Sequence, residues 1–64
     1  MKDAKRALKT LQKSFQERAR TLDKRADKAA KERDYSSAAE CALRARECAL
    51  AAADVGIVLG ELDE

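Results

Sequence analysis

The sequence predicts an all-α fold, an antiparallel two-helix hairpin that dimerises into a four-helix bundle, and three observations predict it. The first is composition: among 64 residues there are 14 Ala and 7 Leu, no Pro and only 3% aromatics, so helix formers dominate and strand formers are scarce. The second is periodicity, because apolar residues recur at spacings of three, four and seven in two long segments. The third is an imbalance: the second segment carries more apolar surface than the first has apolar residues to cover, and a monomer rarely leaves such a patch open. A chain this short also buries too small a share of its surface to be comfortable alone.

The first helix is expected over about residues 3–32. Leu8, Phe15, Leu22 and Ala29 recur every seven residues, and Leu11, Ala19 and Ala26 fill the neighbouring positions. The result is one apolar seam on a helix roughly 45 Å long that is otherwise charged or small. A turn follows at 33–36, where Asp34 or Ser36 caps the next helix and Ser37-Ala-Ala-Glu40 reads as a capping box. Such a short connection makes the helices antiparallel neighbours.

The second helix is expected over about residues 37–61. Ala38, Cys41, Ala45, Cys48, Ala52, Val55, Leu59 and Leu62 form a coiled-coil-like heptad seam. A second apolar line, Leu43, Leu50 and Ile57, lies across the helix from it, with the small residues Ala42, Ala49, Ala53, Gly56 and Gly60 between them. The one polar line is acidic: Glu40, Glu47, Asp54 and Glu61. In an antiparallel hairpin Leu8 and Leu11 come level with Leu59 and Leu62, Phe15 with Val55, and Ala26 and Ala29 with Ala45 and Cys41. Large then meets large and small meets small. This size match assigns the heptad seam to the hairpin contact and leaves Leu43, Leu50, Ala53, Gly56, Ile57 and Gly60 for an oligomer interface; exchange of the two faces is the alternative. With no Pro, two Gly and no Ser- or Gly-rich stretch, nothing divides the chain, and a single domain over 1–64 is expected.

Charge is distributed unevenly. Residues 1–33 hold 12 Lys or Arg against 5 Asp or Glu, and residues 34–64 hold 2 against 7, so a basic helix is followed by an acidic one within a net charge of +2. Lys2, Arg6, Lys9, Lys13, Arg20 and Lys24 share one side of helix 1 and form a candidate face for nucleic acid or an acidic partner. Gln16 interrupts the row, Asp23 and Asp27 neutralise its end, and a solvated face laced with i,i+3 and i,i+4 pairs has the same appearance. Arg18 and Arg25 stand where the heptad expects apolar residues, and their heads reach toward the acidic line of helix 2 or of a second chain.

Enzyme chemistry finds little to work with. There is no His to activate Cys41 or Cys48 or to complete a metal site, and two thiols seven residues apart on a helix, about 10 Å, neither bridge nor chelate. Both cysteines read as small apolar seam residues. The acidic line lacks the Glu-x-x-His ligands of a two-metal bundle site. No cofactor is expected and no enzymatic activity. The longest apolar run, Cys48 to Gly60, is 13 residues with Asp54 inside it, too short for a bilayer span of about 20. No membrane partner is expected, and with no signal-like N-terminal segment the sequence predicts cytoplasmic residence.

The stretch Asp34-Tyr35-Ser-Ser-Ala38-Ala-Glu-Cys-Ala42-Leu-Arg-Ala45 resembles the junction between the two helices of a tetratricopeptide unit over roughly 12 of the 64 residues. Arg33 stands where that family has Gly, and neither a closing Pro nor a second repeat is present, so the likeness is one of turn physics and implies a helical hairpin. In size and layout the chain also resembles the small plasmid-encoded Rop hairpins, which dimerise and bind RNA hairpins. That likeness is architectural, without shared motifs.

These readings together predict a non-enzymatic, oligomeric helical protein acting as a protein–protein interaction module: an adaptor, inhibitor or small regulator. Its expected partners are a second copy of itself and an unidentified protein. The alternative is a regulator that binds an RNA or DNA backbone through the basic face of helix 1, Rop-like in layout.

Overall fold

A computed structural model describes residues 2–62. The backbone forms two helices, α1 (Lys2–Lys31) and α2 (Tyr35–Leu62), that pack against each other as a hairpin. The body measures 48 × 14 × 10 Å. Its radius of gyration is 14.6 Å, whereas a compact chain of this length has about 11 Å. The hairpin is thus two helix diameters across and one deep, with no second layer to close over it.

The turn is built around two residues. The Arg33 N–H donates to the Ala30 carbonyl at 3.0 Å and the Asp34 N–H to the Ala29 carbonyl at 2.9 Å, while Arg33 takes φ 62°. This is the Schellman closure, in which a left-handed residue just past the helix lets the following amides satisfy the last carbonyls. Gly normally supplies that conformation, and a side chain there costs about 1 kcal/mol. Asp34 then opens the next helix: its Oδ1 accepts the Ser37 N–H at 3.3 Å, and its carbonyl accepts the Ala38 N–H at 3.0 Å. One residue completes α1 and caps α2, which explains how so long a hairpin turns in three residues.

That cap shifts the expected boundaries. The sequence pattern starts the second helix at Ser37, but the Asp34 carboxylate reaches the third helical amide and α2 begins at Tyr35. Ser37 is therefore inside the first turn, and the Ser37–Glu40 capping box does not form. Glu40 instead pairs with Arg44 one turn ahead at 2.8 Å.

Burial falls on the heptad seam. Ala45, Ala52 and Leu59, seven residues apart, are the buried residues of α2, and Ala19 is buried on α1. Ala38, Cys41, Cys48 and Val55 are half-buried beside them, as are Leu8, Phe15, Leu22, Ala26 and Ala29 on α1. The core is made mainly of methyl groups, so the contact between helices depends on backbones lying close rather than on large side chains filling space. Leu11 and Leu62, expected to meet within the hairpin, are instead exposed at 45% and 47%. On α1 the position facing α2 is taken by half-buried Gln12, whose Nε2 donates to the Ala52 carbonyl at 3.2 Å.

Candidate interaction surface

Two glycines of α2 sit differently against α1. A Cβ on Gly56 would lie 2.9 Å from Gln12 Nε2, so the missing side chain is what lets the Gln12 amide reach the Ala52 carbonyl. Gly56, expected at an oligomer interface, is half-buried against α1. Gly60 faces open space, with no atom within 4 Å of where a Cβ would stand. The strict 3–4 alternation Leu8, Gln12, Phe15, Ala19, Leu22, Ala26, Ala29 runs through Gln12, and that rhythm is the signal by which the sequence could have revealed it.

The other candidate interface residues point away from the hairpin contact. Leu43, Leu50 and Ile57 are exposed at 58%, 56% and 61%, and Ala53 beside them is exposed as well. Helical geometry of about 100° per residue places these three in one stripe along α2. Val58 and Leu62 add exposed apolar surface near the far end of the helix.

The basic row lies on α1. Arg6, Lys9, Lys13, Arg20 and Lys24 are all exposed, while the side chain of Lys2 lies outside the described residues. Gln16, Ala19 and Arg20 of α1 share a shallow groove with Ala49, Ala52 and Ala53 of α2. The basic row and the small-residue row therefore flank the same side of the hairpin. Arg18 and Arg25 lie on a different flank of α1, lining a depression with Ser14, Glu17, Thr21 and Leu22. Glu40, Glu47, Asp54 and Glu61 are exposed along α2 on the far side of the Leu43–Leu50–Ile57 stripe from the groove.

No family model, curated protein or solved structure matches this chain. The chemistry of its faces is therefore what speaks to function. Among the described residues no three Cys, Asp or Glu side chains converge in a way that could hold a metal ion. Cys41 and Cys48 are free, half-buried thiols on the seam. No helix among the described residues is long and apolar enough to cross a membrane. The described surface carries an apolar stripe, a row of small residues and two rows of opposite charge.

Proposed function

We propose that this chain is a non-enzymatic binding protein, a helical hairpin whose α2 stripe is covered by another protein chain, and that it dimerises into a four-helix bundle. The observation that carries the reading is the exposure of Leu43, Leu50 and Ile57 in one line, at 56% or more each. Total surface supports it. The hairpin exposes 5236 Å², against about 4,100 Å² for a compact monomer of its mass. Two copies brought to the compact norm for twice the mass would bury roughly 3,700 Å² in all, which falls in the range of obligate interfaces.

The module's work is then recognition: a rigid helical face offered to a partner, with charge rows at its edges to select it. Light scattering across a concentration series tests this directly. The expected mass is twice that of the 7.1 kDa chain at micromolar concentration; a well-folded 7.1 kDa species throughout removes the dimer.

A second reading is nucleic-acid binding by the basic row, favoured by the exposure of Arg6, Lys9, Lys13, Arg20 and Lys24 on one flank. Apart from Tyr35, 67% exposed at the start of α2, the described residues offer no exposed aromatic side chain for base stacking, so contact would be mainly with phosphates and affinity would fall steeply with salt. Titration of labelled duplex and hairpin RNA and DNA at several salt concentrations separates the readings. Undetectable or salt-independent binding eliminates this one.

A further inference from the structure

We infer that the second copy packs with its two-fold axis parallel to the helices, so that the basic row of each α1 lies against the Leu43–Leu50–Ile57 stripe and pairs with the acidic row of the partner's α2. This rests on the dimer reading above. It adds which faces meet, and it assigns the basic row to the interface.

Three observations lead there. First, the rows match in height. With Gln12 bonded to Ala52 and lying against Gly56, counting along the antiparallel helices brings Lys13 level with Asp54, Arg20 with Glu47 and Arg6 with Glu61. Second, the rows cannot meet within one hairpin. The basic row borders the groove shared by Arg20, Ala49 and Ala53, whereas the acidic row lies on the far side of the apolar stripe with the body of α2 between. Among the described residues Glu40 pairs with Arg44, and Lys13, Arg20, Glu47 and Asp54 have no charged partner.

Third, symmetry selects one arrangement. When two copies stack on the groove side, a two-fold running across the helices lays α1 on α1 and sets basic row against basic row. A two-fold running along the helices lays α1 of one copy beside α2 of the other and preserves height. Lys13 then faces Asp54 and Arg20 faces Glu47 of the other copy, twice over. The aliphatic stems of the Lys and Arg side chains cover Leu43, Leu50 and Ile57 while their heads reach the carboxylates. The two α2 helices run parallel and meet along Ala49, Ala53 and Gly60, where the open space above Gly60 admits a second backbone. The contact is isologous and closes at two copies.

Charge exchange provides the test. One variant carries Lys13→Glu and Arg20→Glu; the other carries Glu47→Lys and Asp54→Lys. All four positions are exposed, so circular dichroism should show both variants as helical as the parent. Each variant alone is expected to associate at least about tenfold more weakly than the parent at low salt, because the Lys13–Asp54 and Arg20–Glu47 pairs between copies become repulsions. An equimolar mixture is expected to recover parental affinity as a heterodimer, since acidic α1 then meets basic α2 and the reverse. A control with Arg18→Glu and Arg25→Glu makes the same change in net charge on the other flank and should leave association unchanged. If both variants dimerise like the parent, if mixing restores nothing, or if the control is equally disruptive, the pairing is wrong although the dimer stands. A monomeric parent overturns the dimer reading itself.

Discussion

Arg33 is the one non-Gly residue with positive φ among the described residues, holding φ 62° with a side chain where the helix closure asks for none. Among the described residues nothing ties its side chain to a partner that would repay that cost. Arg33→Gly should therefore stabilise the hairpin by about 1 kcal/mol, less a few tenths for the greater freedom Gly gives the unfolded chain. Thermal unfolding followed by circular dichroism checks the sign, and an unchanged or lowered midpoint would mean that the strain is smaller than the geometry implies. Gly56 and Gln12 illustrate the same scale from the other side. In the sequence alone, Gly56 is a small residue among small residues; its reason for being Gly is a side-chain amide more than 40 positions earlier that needs the space.

The two helices are held by different means. α1 is amphipathic and keeps an ordinary division between a seam and a charged surface. α2 has buried Ala45, Ala52 and Leu59 on one side and exposed Leu43, Leu50 and Ile57 on the other, so the hairpin satisfies only part of its apolar content. With three of the four buried residues among those described being Ala, the larger side chain of Leu59 carries an outsized share of the seam at the open end. Leu59→Ala should cost about 2–3 kcal/mol, the low end of buried Leu truncations because the open end relaxes around the gap. Chemical denaturation gives the number. A loss below about 1 kcal/mol would show that the open end contributes little and that stability resides nearer the turn.

At the scale of the whole molecule, the 48 × 14 × 10 Å body is one helix thick, and nearly every residue on it has solvent on some side unless a second layer arrives. Its stability should accordingly depend on concentration, since a ligand or partner that binds only the folded form adds to stability by mass action. Leu50→Glu is the informative variant. Leu50 is 56% exposed in the hairpin, so the change costs the isolated fold little, yet it places a charge in the middle of the stripe. The expected outcome is a shift to monomer and loss of the concentration dependence of the unfolding midpoint, measured by scattering and thermal melts. Retained dimers would place the contact on another face.

The sequence by itself determined that the chain is helical, that it turns near Asp34, and which line of α2 faces α1, because composition and period act locally and a seven-residue repeat defines a face on any helix. It also marked Leu43, Leu50 and Ile57 as the stripe left over. Four matters were decided only when the two helices were laid together. Asp34 rather than Ser36 caps α2, which therefore starts at Tyr35 and not Ser37, since capping depends on where the preceding helix delivers the chain. Gln12 takes a seam position while Leu11 and Leu62 remain exposed, since the rotation of one helix against the other is a compromise along the whole contact. Gly56 faces inward and Gly60 outward, although both are Gly four residues apart, because what matters is the atom opposite. Finally, the basic and acidic rows fall on opposite flanks of the hairpin: a sequence records that two charged lines exist, but only packing determines whether they can reach each other or must wait for a second chain.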